Sequence, residues 1–227
     1  MAERSDESQP DRHGVDGAMP VAAAPGPAAI TGLILAGGAG RRMGGADKGL
    51  MSYAGQTLIE WVWARFAPQV GALLISANRS QERYAALGAP VIGDDLPGFQ
   101  GPLAGLAAAL RHCTTPFLAC VPCDAPNLPL DLVAHLAAGL AAADRAPAAV
   151  AGVAGRRQPT FLLCHRSLRT ALDDHLAAGG RCFDAWLDEI GAVEVGFADA
   201  AAFINVNTLQ ELVCAARAGD VGATNSS

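Results

Sequence analysis

Residues 30–48 read Ile30-Thr31-Gly32-Leu33-Ile34-Leu35-Ala36-Gly37-Gly38-Ala39-Gly40-Arg41-Arg42-Met43-Gly44-Gly45-Ala46-Asp47-Lys48. The first part is an apolar run of strand length, bounded by glycines, which predicts a buried strand. The second part is a loop with five glycines, two arginines and a lysine. Glycines let a backbone come close to a ligand and turn its N–H groups toward an anion. Arg42 and Lys48 carry the charge to neutralise a polyphosphate. The loop is not a dinucleotide fingerprint, because Met43 stands where the third glycine belongs. It is not a Walker loop either, because Gly-Lys-Ser/Thr is absent.

Outward from this stretch the pattern alternates. Helices are expected at 58–66, 81–86, 103–113, 130–143, 167–178 and 182–189. Strands are expected at 70–77, 90–92, 117–121, 148–153, 161–164, 193–197 and 203–206, with 148–153 and 161–164 paired as an extension of the sheet. Thr208-Leu209-Gln210-Glu211 has the form of a capping box opening a last helix. Alternating strand–helix units predict an α/β fold: one Rossmann-like, doubly wound domain with a mostly parallel sheet. Ligands of such sheets sit at the carboxyl ends of the strands, near the point where strand order reverses. The loops after Ala36, Ala77, Ile92 and Val121 are therefore where chemistry is expected.

The chain has 227 residues, enough for one domain with a sizeable core. Three segments are expected: a disordered leader at 1–28, rich in Ser, Asp, Glu, Pro and Ala; the domain at 29–218; and a flexible end at 219–227. The net charge of −6 argues against a bulk electrostatic grip on nucleic acid. Of 16 basic residues only Lys48 is a lysine. A lysine is a compact point charge on a thin stem, whereas an arginine is a broad planar fork, so the solitary lysine either marks a place where the fork does not serve or is a chance survival of composition. Six cysteines without a preceding secretory signal, and apolar runs of strand length only, lead to an expectation of a soluble, reduced, cytoplasmic protein with no membrane contact.

Further along, Asp124 follows the strand expected at 117–121. A lone carboxylate there suits a Mg²⁺ that also touches substrate phosphates, or it caps the turn of Asp124-Ala125-Pro126. Cys120-Val121-Pro122-Cys123 has the spacing of zinc and redox pairs, but no second pair lies at zinc spacing and the motif ends a strand, so structural burial is expected. Asn78 closes the strand expected at 70–77 and Asp94 follows the one at 90–92; both are expected to face one crevice, or they serve ordinary Asx turns. Gly101 and Gly105 flank the start of a helix, whose N-terminus can face a nucleotide, or they serve close helix packing. Asn205 and Asn207, one residue apart, project from the same side if the last strand persists, and Asn207 can instead serve the cap beside it. The five histidines are scattered and none falls in these motifs.

The run Leu35-Ala36-Gly37-Gly38, Arg41-Arg42-Met43-Gly44-Gly45 and Asp47-Lys48-Gly49 resembles the signature loop of the molybdenum cofactor guanylyltransferases. The resemblance continues through Ser76-Ala77-Asn78-Arg79, Gly93-Asp94-Asp95, Gly101-Pro102-Leu103-Ala104-Gly105, Pro122-Cys123-Asp124-Ala125-Pro126 and Asn205-Val206-Asn207-Thr208. It implies a nucleotide-diphospho-sugar transferase-like fold. It also implies transfer of GMP from GTP to the terminal phosphate of molybdenum-bound molybdopterin, with pyrophosphate released. By resemblance Leu35, Ala36, Gly37, Gly38, Lys48, Asn78, Asp94 and Asp124 contact GTP, and Asp124 holds Mg²⁺. Arg42, Lys48 and Asp124 carry the catalysis. Arg181, Asn205 and Asn207 lie on the pterin side, with Gln158-Pro159-Thr160 as a further candidate segment. Molybdenum-insertion proteins and apo-molybdoenzymes are the implied protein partners. The related cytidylyltransferases have Leu-Ala-Ala-Gly at the first loop, so GTP is expected over CTP. A non-catalytic GTP- or cofactor-binding partner is the third reading, but it would have been expected to lose Lys48 or Asp124.

Overall fold

The computed structural model describes residues 23–36, 47–93, 101–143 and 146–206. After a 3-10 turn at Pro27–Ala29 the chain forms β1 (Ile30–Leu35), a 3-10 turn (Lys48–Leu50), and the short strands β2 (Ser52–Tyr53) and β3 (Gln56–Thr57). Then come α1 (Leu58–Phe66), β4 (Ala72–Ser76), α2 (Gln81–Ala85), β5 (Val91–Ile92), α3 (Pro102–His112) and β6 (Phe117–Pro122). The second half holds α4 (Leu132–Ala142), β7 (Ala148–Val153), β8 (Arg156–His165), α5 (Arg169–Ala177), α6 (Phe183–Glu189) and β9 (Val193–Phe197). Helix α1 starts where Thr57 and Glu60 form a reciprocal capping box. The similar box expected at Thr208 lies outside the described residues.

The main sheet has seven strands in the order β5-β4-β1-β6-β8-β7-β9. Strands β5, β4, β1 and β6 are parallel. Strand β8 runs antiparallel between β6 and β7, and β9 is parallel to β7. The expected pairing of β7 with β8 is present. The register between them shifts at Val150/Ala151, and Ala151 pairs with Gln158 while Val150 pairs with Leu162. Pro159 lies in the skipped stretch, where a residue without an N–H belongs.

Strand β1 is buried throughout, and its side chains alternate between two cores. Ile30 and Ile34 meet Ile59, Val62 and Phe66 of α1, Tyr84 of α2 and Leu136 of α4. Leu33 and Leu35 meet Leu103 and Leu106 of α3, Leu172 of α5 and Trp186 of α6. Helices thus cover both faces, as a doubly wound sheet requires. Each fully buried Leu or Ile contributes roughly 1.5–3 kcal/mol of burial free energy, which makes this central strand the anchor of the sheet.

The strand expected at 203–206 is absent. Ala200–Phe203 forms a 3-10 turn, started by the Asp199 carboxylate accepting from the Ala201 N–H at 2.9 Å. Phe203 then packs edge-on against Phe161 and Phe197. The side-chain cap and the aromatic docking outweigh the extended preference of this apolar stretch.

Candidate active site

The parallel strands end side by side. The Ala36 N–H donates to the Ser76 carbonyl at 2.8 Å, Ala77 N–H to Ile92 at 2.9 Å, and Cys123 N–H to Leu35 at 3.1 Å. From β1 the chain proceeds to β4 on one side, and it later returns to β6 on the other. The reversal of strand order therefore falls between β1 and β6, where a ligand crevice is expected. Lys48 and Asp124 meet there. Lys48 opens the 3-10 turn after β1, with Asp47 before it. Asp124 lies in the turn directly after β6. Lys48 Nζ donates to Asp124 Oδ2 at 2.8 Å, and the two side chains are 30% and 10% exposed. A carboxylate this far from water requires a partner, and the ammonium supplies it.

Leu35 and Ala36 spend their inward hydrogen bonds on the neighbouring strands and set where the glycine loop leaves the sheet. Gly37, Gly38, Arg42, Asp94 and Asn207 lie outside the described residues. Asn78 is exposed at the end of β4, and its Oδ1 would stand 3.4 Å from a Cβ placed on Gly93 after β5. Asn205 follows the 3-10 turn and does not lie in the expected strand. Its segment nevertheless reaches Asp124: the Val206 N–H donates to the Asp124 carbonyl at 2.8 Å. Arg181 lies between α5 and α6, where its guanidinium donates to the carbonyls of Leu176 and Gly180 at the end of α5. For Gly105 the structure favours packing, since a Cβ there would stand 2.6 Å from Ser76 Oγ and 2.9 Å from Leu35 Cδ2.

Cys120 and Cys123 enter opposite cores, Cys120 on the α3 side and Cys123 on the α1 side. Two thiols on opposite faces of one sheet cannot share a zinc ion. Burial pushes both thiols well above the usual range, which leaves them as protonated, inert core groups. All five cysteines among the described residues are free.

A profile of the MobA-like NTP transferase domain matches residues 32–191. A molybdenum cofactor guanylyltransferase of Bordetella petrii is 52% identical over 186 residues, 81% of this chain and 95% of that one. Another, of Burkholderia orbicola, is 48% identical over 207 residues, 88% of this chain and all of that one. The chain belongs to the molybdenum cofactor guanylyltransferase family. Among solved structures, the molybdopterin-guanine dinucleotide biosynthesis protein A of Archaeoglobus fulgidus has the same fold. It gives a TM-score of 0.68 at 24% identity and covers 84% of this chain and 99% of that one. The 4-diphosphocytidyl-2C-methyl-D-erythritol synthase of Anaerococcus prevotii shares the fold too, with a TM-score of 0.68 at 10% identity over 86% of this chain and 97% of that one.

As a guanylyltransferase-family member the chain is a nucleotidyltransferase. Among the described residues no cluster of three His, Cys, Asp or Glu forms a cage for a metal. One carboxylate at the crevice is the donor set that Mg²⁺ uses when substrate phosphates and water complete its shell. Asp124 fits that role, with its second oxygen outside the bond to Lys48. No helix among the described residues is long and apolar enough to cross a membrane.

Proposed function

We propose that this chain transfers GMP from GTP to the terminal phosphate of molybdenum-bound molybdopterin. An oxygen of the acceptor phosphate bonds to the α-phosphorus of GTP. The bond from that phosphorus to the bridging oxygen breaks, and pyrophosphate leaves with the electron pair. The observation that carries this reading is the Lys48–Asp124 pair at the reversal point of the sheet, in a chain of this family.

The attacking phosphate is anionic at neutral pH, so no general base is required. The work is alignment and charge neutralisation. Lys48, joined by Arg42 from the glycine loop, balances charge that moves onto the leaving pyrophosphate. Asp124 is the residue that would hold a Mg²⁺, whose charge would offset that of the substrate phosphates. Leu35 to Gly38, Asn78 and Asp94 line the guanosine side. Asn205, next to the Val206 whose N–H donates to the Asp124 carbonyl, is our candidate neighbour of the reacting phosphates. Asn207 and Arg181 complete our reading of the pterin side. Arg181 would serve by exchanging a carbonyl for a ligand oxygen. The free thiols are those of a reducing compartment, and we place the reaction in the cytoplasm, upstream of cofactor insertion into apo-molybdoenzymes.

The test is pyrophosphate release in the presence of GTP, Mg²⁺ and molybdenum-loaded molybdopterin. Release that needs all three is expected, with CTP a poor substitute for GTP. Equal rates with CTP would overturn the choice of base, and silence with every nucleotide would overturn the reaction.

A further inference from the structure

Tyr84 is fully buried in the α1-side core. It comes from α2, which turns inward after Ser80, a residue in the left-handed region with φ 50°. A buried phenol needs a partner for its hydroxyl. Tyr84 finds it outside its own element and donates to Asp47 Oδ1, across 37 residues. Asp47 immediately precedes Lys48. On the other side of the lysine, Gly49 rests on the same hydroxyl: a Cβ at Gly49 would stand 2.7 Å from Tyr84 Oη and 3.2 Å from Cys123 Sγ. Cys123 in turn precedes Asp124. The backbone of Lys48 is thus held from both sides, by a hydrogen bond before it and by close packing after it.

We propose that the Tyr84–Asp47 hydrogen bond positions Lys48 for nucleotidyl transfer, which makes Tyr84 a positioning residue that acts through Lys48 without touching substrate. The inference rests on our reading of Lys48 as the phosphate-binding cation. The physical reason is the reach of lysine. A flexible four-carbon stem, rich in rotamers, aims well only from a fixed backbone. The bond also holds the Asp47 carboxylate against Tyr84 of α2. Burial raises the phenol far above its ordinary range, so Tyr84 remains a donor wherever the protein is folded.

The test uses Tyr84→Phe, Asp47→Ala, their double variant and Asp47→Asn, whose Oδ1 still accepts. Tyr84→Phe should lower kcat about 10-fold, since small misplacements of an aligned group cost that much or more. Asp47→Ala should match it, and the double variant should be no slower than either, as members of one unit behave. KM for the molybdopterin acceptor should stay within about twofold, and Asp47→Asn should retain most of the turnover. Parental kcat in Tyr84→Phe, or losses that multiply in the double variant, would overturn the proposal. A second readout does not depend on the reaction. Because Lys48 is the only lysine, ¹⁵N-lysine labelling yields one amide signal. That signal should shift or broaden in Tyr84→Phe and stay near its parental position in Asp47→Asn. An unmoved signal in Tyr84→Phe overturns the strut. Failure of the parent protein to release pyrophosphate would instead strike the proposed reaction and leave this signal to decide.

Discussion

Lys48 and Asp124 stand out at the level of single residues, and each has a replacement that separates charge from shape. Lys48→Arg keeps the charge but spreads it over a wide plane in place of a compact ammonium. Turnover should fall on the order of 10²-fold, comparable to the loss of one preorganised donor. The melting temperature should hardly move, because arginine can still pair with Asp124. Near-parent turnover would mean that charge alone suffices. Asp124→Asn is nearly isosteric and keeps the backbone bond to Val206, but it loses the charge that holds a hard cation. Mg²⁺-dependent pyrophosphate release should disappear while thermal melting stays close to the parent. Retained activity with normal Mg²⁺ dependence would assign the metal to another carboxylate, with Asp94 the first to examine. Both residues were legible in the sequence, Lys48 as a solitary lysine after a glycine loop and Asp124 as an acid at a strand end. Tyr84 was not, because nothing local says that its hydroxyl crosses to Asp47.

At the level of elements, two tight turns carry a cost that the sequence did not announce. Ala54-Gly55 joins β2 to β3, and Ala154-Gly155 joins β7 to β8. All four residues have positive φ, with Ala54 at 45° and Ala154 at 48°. A Cβ in the left-handed region costs roughly 1–2 kcal/mol, and asparagine tolerates that region through local hydrogen bonding. Two-residue hairpins of this kind favour Asn-Gly. Ala154→Asn should therefore stabilise the protein by about 0.5–1 kcal/mol, a rise of roughly 1–4 °C in melting temperature for a chain of this size. A lower melting temperature would contradict the left-handed turn. The helices show a similar division. Helix α1 spans the expected 58–66, and its one apolar side, Leu58, Ile59, Val62 and Phe66, is buried. Helix α4, expected from 130, instead begins at Leu132, where the Val133 N–H donates to the Gln69 side chain at 2.9 Å. Gln69 also donates to the Arg65 and Pro129 carbonyls. That start is fixed by a residue 64 positions away, beyond the reach of any local pattern.

At the level of the whole molecule, the amino-terminal boundary can be tested directly. Ala28, the expected last residue of the leader, lies in the 3-10 turn that packs on Gly71: a Cβ at Gly71 would stand 2.9 Å from Ala28 Cα and from the Pro27 carbonyl. Removing residues 1–22, whose composition does not favour a core, should leave melting temperature and turnover at parental values. Extending the cut through Ala28 should lower the melting temperature by uncovering Gly71. Equal melting for the two truncations would show that this turn adds nothing. The sequence by itself determined the α/β class, the order of the main-sheet strands and of the helices through β9, and the loops that hold Lys48, Asn78 and Asp124, but not the short strands β2 and β3. Those features follow from apolar periodicity, glycines and strand ends, which act over a few residues. Only the tertiary structure decided the antiparallel insertion of β8 between β6 and β7, the turn in place of a last strand, and the Arg181 bonds to the end of α5. It also decided the link from Val206 to Asp124 and the strut from Tyr84 through Asp47 to Lys48. Each of these is a bond or a packing contact between segments far apart in the chain, whose partners are chosen when the two cores close.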